Sequence, residues 1–388
     1  MGSVQSFETP KSRGGRPGKI DAPLNKKLSE VKWGEYRLGD LFEVNSYTKR
    51  FDANKVIVLE DGKYPYVVRM SNNNGQKGYI DEDEIYLNEG NTISFGQDTA
   101  TMFYQERPYF TGDKIKILKA KFREFDKSNA QFFLTTMAKS FESFSCGRSS
   151  FSVDIIEKQI ISLPVKGGTI DFDFISSFIA ELEAERIKEL EAHLTVTGLK
   201  DYILTEEEHS VLDSYEDWEW NTFNLEDLFG KSTRGKRLKS ADRIPGELPF
   251  VTAGEADEGI SDFIGNDVAI FSENTTTIDM FGSAKYRNYK YGGDDHVAVV
   301  HTETLHQLAS IFVTSAIHKS SHSGQFDYSK NFYAKDADAL NIQLPSRGGR
   351  PDYECMATFI SAVQKIVIKD VVLFADRKIG MAKEIVNK

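Results

Sequence analysis

Side chains able to bind nucleic-acid bases and phosphates are concentrated in a few stretches of this 388-residue chain. Residues 231–243 hold six cations and one acid, and residues 285–290 interleave three cations with two tyrosines. Arg or Lys can pair with guanine and Asn or Gln with adenine, while neighbouring cations hold phosphates. The candidate contact residues of the second half are Lys231, Arg234, Lys236, Arg237, Lys239, Lys285, Tyr286, Arg287, Asn288, Lys290, His322 and Gln325.

The first half of the chain carries loops of the same character. Its candidate contact residues are Lys49, Arg50, Arg69, Asn72, Asn73, Asn74, Gln76, Lys77, Gln97, Tyr104, Arg107, Arg148 and Ser149. Any one of these polar, Gly-rich loops is equally typical of an ordinary solvent-exposed loop. The enrichment at analogous places in both halves favours a binding surface over that alternative.

Motifs for nucleotide or cofactor chemistry are missing from the sequence. It has no G-x-x-x-x-G-K-[ST] phosphate loop, no G-x-G-x-x-G after a strand, and no Asn/Asp-Pro-Pro-Tyr/Phe run typical of amino-methyltransferases. Cys146 and Cys355 are too few for a zinc knuckle. We therefore predict no catalytic residue and no cofactor in this chain.

Two histidine-containing segments resemble metal or acid/base sites only superficially. His318 and His322 have the i, i+4 spacing of a metal pair, but no acidic residue lies between them. Asp294-Asp295-His296 corresponds to Gly112-Asp113-Lys114 in the first half, which lacks the histidine. A turn leading into a strand explains this segment better than a catalytic cluster, and no metal site is predicted.

The sequence contains an internal duplication, which is the main clue to its architecture. The order of the matching segments is conserved, and their offset drifts only from 187 to 181 positions. The clearest pairs are Leu38–Phe42 with Leu225–Phe229, Tyr64–Val67 with Leu248–Val251, and Leu163-Pro164 with Leu344-Pro345. A collinear series of this kind is not expected by chance.

Each copy consists of a globular part of about 130 residues and a long helix. Short β-type runs between Gly, Asn and Asp turns fill the globular part, and the patterns at 132–144 and 305–318 predict short helices. Asp171 and Asp352 are the predicted N-caps of the long helices. Their apolar stripes are Phe172, Ile175, Ile179, Leu182, Ile187, Leu190 and Leu194 in the first, and Met356, Phe359, Ile360, Val363, Ile366, Val367 and Phe374 in the second.

The sequence predicts a mixed α/β (α+β) fold. Two similar globular domains would be separated by two long, antiparallel, coiled-coil-like helices with pseudo-twofold symmetry. The alternative is that each helix only covers its own domain. The predicted boundaries are a basic tail at 1–32, domains at 33–164 and 218–345, a helix with linker at 165–217, and a second helix at 346–388.

The net charge of −11 is unevenly distributed along the chain. Residues 165–217 carry −10, whereas the two globular parts carry −2 and −6. The acidic balance therefore does not exclude a DNA partner, but it predicts modest affinity for the chain alone. The two cysteines, the lack of an apolar run of about 20 residues and the lack of an apolar segment at the start predict a cytoplasmic protein without a membrane partner.

The repeated unit resembles the specificity subunit of type I restriction–modification systems and the compact specificity subunits of type IIB-like enzymes. The unit reads W-x-x-x-x-L-x-D-L-F, then [YL]-P-[YF]-V, Gly-rich loops, and Leu-Pro before a long helix. It covers the chain from Trp33 onward, and Thr197–Glu208 looks like the linker of the compact subfamily. In this family each globular part is a target recognition domain and each helix a spacer.

The resemblance implies a non-catalytic subunit that reads double-stranded DNA as two half-sites separated by a gap. Its implied partners are methyltransferase subunits, two in number, which bind S-adenosylmethionine, together with a motor-nuclease subunit or a fused nuclease that uses Mg²⁺. A two-domain scaffold binding protein or glycan is the alternative from another functional class. The recognised bases and the type I or type IIB organisation are not encoded in any motif.

One six-residue segment occurs twice outside the register of the duplication. Ser12–Pro17 is identical to Ser346–Pro351. The first occurrence precedes the first copy, where it could be a stub of the repeat, a basic arm on DNA, or a tail without structure.

Overall fold

The computed structural model describes residues 22–142 and 151–386, and the chain divides into two compact units, residues 18–189 and 190–388. In those described residues, none of the helices combines the length and the apolar character needed to cross a bilayer. The predicted contact residues Arg148 and Ser149 and the segment Ser12–Pro17 lie outside the described ranges.

The first unit begins with a short helix and ends in a long one. Its strands are β1 (Trp33–Arg37), β2 (Phe42–Ser46), β3 (Pro65–Val67), β4 (Gln76–Tyr79), β5 (Thr92–Gly96), β6 (Met102–Gln105), β7 (Phe110–Thr111), β8 (Ile115–Ala120), β9 (Ile160–Lys166) and β10 (Thr169–Ile170). Its helices are α1 (Ala22–Glu30), α2 (Leu38–Leu41), α3 (Ala130–Phe141), α4 (Val153–Glu157) and α5 (Phe172–Val196), whose last residues belong to the second unit.

The second unit repeats this order of elements. Its strands are β11 (Trp220–Asn224), β12 (Thr233–Arg234), β13 (Pro245–Val251), β14 (Ile260–Ile264), β15 (Ile270–Phe271), β16 (Thr275–Asp279), β17 (Ala284–Arg287), β18 (Tyr291–Gly293), β19 (Val297–Val300), β20 (Asn341–Arg347) and β21 (Arg350–Pro351). Its helices are α6 (Glu206–Asp213), α7 (Leu225–Phe229), α8 (Gln307–Ser321), α9 (Ala334–Asp338) and α10 (Tyr353–Val386).

The sheets confirm the duplication predicted from the sequence. The first unit has strand orders β1-β9-β10, β2-β8-β5-β6 and β4-β3-β7, and the second has β11-β20-β21, β12-β19-β16-β17 and β14-β13-β18-β15. The register is the same as well, because Trp33 faces Pro164 in one unit and Trp220 faces Pro345 in the other. In both units one parallel pair, β3 with β7 or β13 with β18, joins the first half of the domain to the second.

Aromatic packing holds the first unit together. Phe42 is fully buried, and its ring meets those of Phe125 and Phe133 edge-on, with ring centres 5.4 and 5.9 Å apart. Edge-to-face pairs of this kind add stability beyond the area they bury. In the second unit the all-buried strand β19 takes the central place beside β16.

Local sequence signals located the helices well. The helix predicted at 132–144 is Ala130–Phe141, and the one predicted at 305–318 is Gln307–Ser321. Both N-caps are confirmed, since the Asp171 carboxylate accepts a hydrogen bond from the Phe174 amide at 3.0 Å and Asp352 one from Cys355 at 3.0 Å. The predicted fold class, mixed α/β with two similar domains each followed by a long helix, is confirmed.

The long helices bury only part of the predicted stripes. At the start of α5, Ile175 packs into the core of the first unit, and at its end Leu194 packs on Val372 and Ala375 of α10. In α10 the stripe is wrong in its second half, where Ile366, Val367 and Phe374 are exposed and Ala362, Val372 and Ala375 are buried instead. Small side chains allow close helix approach, and a hydrophobicity pattern alone ranks alanine below the larger residues.

The repeated SRGGRP segment forms a hairpin in its second occurrence. Ser346–Pro351 connects β20 to β21, and Gly348 and Gly349 take the left-handed backbone angles (φ 60° and 77°) that the tight turn requires.

Candidate nucleic-acid interface

In the first unit, loops that are distant in sequence meet at one surface. The Arg50 guanidinium lies 3.2 Å from the Asp113 carboxylate, which joins the β2–β3 loop to the β7–β8 turn. Asp98, in the β5–β6 turn, pairs with Arg69 at 2.6 Å and with Lys114 at 2.8 Å. We call these five residues the first loop surface.

A cleft of about 570 Å³ opens beside the first loop surface. Arg50, Arg69 and Asp113 line it together with Asn54 and Thr99. Gln97 is half-buried, and its backbone amide donates to the Lys114 carbonyl at 2.8 Å. The sequence analysis did not name Lys114 as a contact residue. Its alignment with His296 in the duplication could have drawn attention to it.

In the asparagine-rich turn between β3 and β4, two asparagines stabilise the turn itself and a third is exposed to solvent. Asn73 and Asn74 adopt left-handed angles (φ 47° and 52°), which asparagine tolerates better than most residues. Their side-chain amides donate to the carbonyls of Gln76 (2.8 Å) and Tyr104 (3.2 Å). Asn72, by contrast, is exposed in this turn and keeps its amide available for a base edge.

The remaining candidates of the first unit lie around this turn or close in sequence to the first loop surface. Lys77 and Arg107 are exposed, and Gln76 is half-buried. Lys49 is exposed, but its ammonium lies 4.0 Å from the centre of the Tyr86 ring, which attracts the cation.

The cations of the first loop surface are largely neutralised by their carboxylate partners, which yields a prediction. We expect Asp113→Asn to release Arg50 and to raise DNA affinity up to about 8-fold at 0.1 M salt, because one further phosphate contact adds about 0.9 to the log–log salt slope. Fluorescence anisotropy with a labelled duplex measures both the affinity and its salt slope. Asp61→Asn, at another exposed carboxylate, makes the same change in net charge without releasing a paired cation. Equal effects of the two variants would contradict the prediction.

The second unit presents its cations differently. Five of them are exposed, on β12 and in the segments directly before and after it, and in the described part of the chain none of the five forms an ion pair. We call them the second loop cations: Lys231, Arg234, Lys236, Arg237 and Lys239. The strand β12 that carries Arg234 pairs with the buried β19, so the core fixes where this cationic segment begins.

The other candidates of the second unit surround one carboxylate or lie along its flank. Glu255 pairs with Lys285 at 3.3 Å, and the Ser283 hydroxyl, followed by the charges of Lys285 and His322, lowers its pKa. His322 and Gln325 are exposed, with the Gln325 amide oxygen accepting from Ser323. Asn288 and Lys290 are exposed in the β17–β18 turn.

The prediction that Arg287 contacts DNA is wrong. Its side chain is 1% exposed, and its guanidinium donates to the Thr277 hydroxyl, the Tyr289 hydroxyl and the Glu258 carbonyl. The Arg287 side chain extends from the same face of β17 as Lys285 toward the turn that carries Glu258, and this turn covers it. The sequence pattern of cations between aromatics could not distinguish this direction from the opposite one.

Tyr104 and Tyr286 occupy equivalent places with an evident role in the scaffold. Their hydroxyls donate to the side-chain oxygens of Asn91 (2.9 Å) and Asn274 (3.0 Å), two residues with left-handed angles. Burial raises the pKa of both phenols. Similarity between the copies at these positions therefore reflects the shared fold.

The Asp294-Asp295-His296 segment is the turn that the sequence predicted. The Asp294 amide bonds the Val251 carbonyl at 3.0 Å, and β19 begins directly after His296. Asp295 lies 3.2 Å from the His296 ring, and burial, followed by the neighbouring Asp295, raises the pKa of Asp294. These contacts account for the segment as a strand entry.

Comparison with known proteins agrees with the duplicated architecture. A family model described as the type I restriction modification DNA specificity domain matches residues 30–192 and again residues 216–366. The specificity subunit S.BcgI of a type II restriction enzyme from Heyndrickxia coagulans is 26% identical over 344 residues, covering 87% of this chain and 96% of that protein. The fold is similar to that of the S subunit of a type I restriction–modification system from M. genitalium, with a TM-score of 0.56, 15% identity, and coverage of 92% and 94% of the two chains.

Proposed function

The chain belongs to the family of type I restriction modification DNA specificity domains, and on that premise we propose that it is the DNA specificity subunit of a restriction–modification complex. Each unit reads one half of a bipartite DNA target. The observation that carries this proposal is the double occurrence of the family domain in one chain, with the same strand order in both copies. The family match supports this function and gives no support to a protein- or glycan-binding scaffold.

Each copy reads its half-site through the loops described above. The first unit offers the first loop surface and the Asn72–Gly75 turn, and the second offers the second loop cations with Lys285, His322 and Gln325. Amides and cations of these kinds make direct contacts to base edges, and the flanking cations fix the domain on the phosphates. The long helices act as spacers that set the gap between the half-sites, as subunit spacing does in dimeric DNA-binding proteins.

The chain binds methyltransferase subunits, in our proposal two, and one contact surface is on α10. Ile366, Val367, Val371 and Phe374 are 38–71% exposed, and their spacing places them along one side of the helix. A row of large exposed apolar side chains is typical of a protein interface. S-adenosylmethionine for methylation and Mg²⁺ for cleavage belong to the partner subunits, including a motor-nuclease subunit or a fused nuclease, and this chain itself needs no cofactor.

Footprinting of the purified complex on a selected DNA sequence tests the proposal. We expect two protected, sequence-dependent segments separated by a gap of fixed length, and stronger binding when the methyltransferase is present. A single continuous site, or binding without sequence preference, would contradict it. Weak salt dependence of the affinity would favour the scaffold alternative, because DNA binding releases about 0.9 counterions for each phosphate neutralised.

A further inference from the structure

The two units hold the same turn with different side chains. In the first unit the Gln105 amide donates to the Ser94 hydroxyl at 3.0 Å and to the Asn74 carbonyl at 3.1 Å. In the second unit the Arg287 guanidinium donates to the Thr277 hydroxyl at 3.0 Å and to the Glu258 carbonyl at 2.8 Å. Both side chains leave the last residue of equivalent strands, β6 and β17, and link the central strand to the β3–β4 turn or its counterpart.

Both residues are buried, at 4% exposure for Gln105 and 1% for Arg287. Each is therefore out of reach of DNA in this conformation and acts only through what it holds. The held carbonyl belongs in each case to the second of two consecutive non-glycine residues with left-handed angles: Asn74 at φ 52°, and Glu258 at φ 56°. Such a backbone persists only where its surroundings enforce it.

Where the first unit has Gln105 and the second has Arg287, the composition of the turn differs as well. The first turn is uncharged, with Asn72, Asn73 and Asn74, whereas the second carries Glu255, Asp257 and Glu258. Among the described residues Arg287 has no hydrogen bond to a carboxylate, and the Tyr289 hydroxyl (2.8 Å) and the Tyr291 ring (5.9 Å) complete its surroundings. The buried guanidinium therefore binds the backbone of a turn whose own side chains are acidic.

The turns offer different chemistry to a base edge. In the first turn the exposed Asn72 amide matches adenine, while the exposed carboxylates of the second turn accept a hydrogen bond from the amino group of cytosine. Asp257 and Glu258 are both exposed in the second turn. Contacts of this type depend on orientation, so the residue that fixes the turn also controls how sharply the base is selected.

We propose that Gln105 and Arg287 are positioning residues for base specificity, each fixing the turn through which its unit reads part of its half-site. The inference rests on the proposed function and adds a residue-level cause of specificity to it. It also assigns the Asn72–Gly75 turn to adenine and the Glu255–Gly259 turn to cytosine.

The test compares Arg287→Met and Arg287→Gln with the wild-type chain in the methyltransferase complex. Binding is selected from a pool of DNA duplexes randomised over both half-sites. We expect Arg287→Met to lose about 10-fold of its preference at one or two base pairs of one half-site, with the other half-site unchanged. Arg287→Gln should recover much of this preference, because Gln105 makes both hydrogen bonds in the equivalent place.

A matched control removes a buried hydrogen bond elsewhere in the same domain. Thr314→Val breaks the 2.6 Å contact between the Thr276 and Thr314 hydroxyls, between β16 and α8. It should lower thermal stability and leave base preference intact. If Arg287→Met behaves like this control, Arg287 has a purely structural role and the inference is overturned.

Two further results separate the inference from its premise. Should Arg287→Met fail to fold, Gln105→Leu makes the equivalent change in the first unit, and preserved selectivity there would overturn the inference. Absence of preference in the wild-type complex at either half-site would instead contradict the proposed function itself.

Discussion

Replacing Arg234, Lys236 and Arg237 together with alanine should lower the DNA affinity of the complex by about 10²–10³-fold at 0.1 M salt. The three side chains are exposed and, in the part of the chain that the structure describes, have no carboxylate partner. Three lost phosphate contacts reduce the log–log salt slope by about 2.7, which corresponds to that loss of affinity at 0.1 M.

The salt titration distinguishes phosphate contacts from base contacts in this variant. Affinity is measured by fluorescence anisotropy from about 0.05 to about 0.3 M salt, a range that includes the physiological ionic strength of about 0.15 M. We expect the slope to fall while the base preference of the first unit's half-site persists. A loss of both preferences together would show that the second loop cations were assigned to the wrong surface.

A control for this charge removal, with two cations removed instead of three, lies on the β20–β21 hairpin. Arg347→Ala with Arg350→Ala removes two cations of the same unit, one of which already pairs with Asp352 at 2.9 Å. We expect only the small non-specific effect of the altered net charge. If the hairpin variant weakens binding as much as the loop variant, position does not matter and the interface is not where we place it.

Lys365→Met should destabilise the second unit by about 2–3 kcal/mol, because it leaves a buried carboxylate without its cation. The Lys365 ammonium lies 3.0 Å from the Glu208 carboxylate, whose side chain is 6% exposed. Glu208 also completes the capping box of α6, accepting a hydrogen bond from the backbone amide of the N-cap residue Thr205 at 2.8 Å. Loss of Lys365 therefore loosens the contact of α6 with α10.

Urea unfolding measures this effect through tryptophan fluorescence, to which Trp218 and Trp220 of the second unit and Trp33 of the first unit contribute. The double variant Glu208→Gln, Lys365→Met removes the charge on both sides and should recover part of the loss. Unchanged stability of the single variant would show that water screens the pair.

The same carboxylate predicts a dependence on pH. Burial alone would raise the pKa of Glu208, but hydrogen bonds from Ser361, Thr205 and Lys365 outweigh it and lower that pKa below its ordinary value of 4.5. A carboxyl group with a lowered pKa in the folded state stabilises the protein at pH above 4.5, and this contribution is lost as the pH falls through the folded-state value. The difference in stability between wild type and Glu208→Gln should therefore shrink below pH 4.5.

The sequence predicts contact residues from the clustering of cations and amides in analogous loops, and these assignments stay predictions. Arg50 and Arg69 were expected in the first unit, and the structure brings both to one cleft. Their neutralisation by Asp113 and Asp98 could not be predicted, since these pairs join residues 63 and 29 positions apart. Charge counted along the sequence overestimates the cations that are free to bind phosphate.

Arg234 and Arg287 show most clearly that side-chain exposure is decided by the tertiary structure. Both are arginines in basic stretches of the same unit, yet one is exposed and the other is 1% exposed. The difference arises from the side of the strand on which each lies and from a hydrogen bond to a carbonyl 29 residues away. A sequence pattern contains neither piece of information.

The amino-acid order alone was sufficient for the duplication, the mixed α/β class, the N-caps and the family resemblance, because these depend on local spacing and on collinear repetition. The tertiary structure was needed to show which cations are exposed, which carboxylates neutralise them, and which buried side chain holds each turn. Those properties arise from contacts between distant segments, such as Glu208 with Lys365, 157 positions apart. Exposure and pairing are properties of the packed chain, and the same residue type can therefore be exposed in one loop and buried as part of the scaffold in the next.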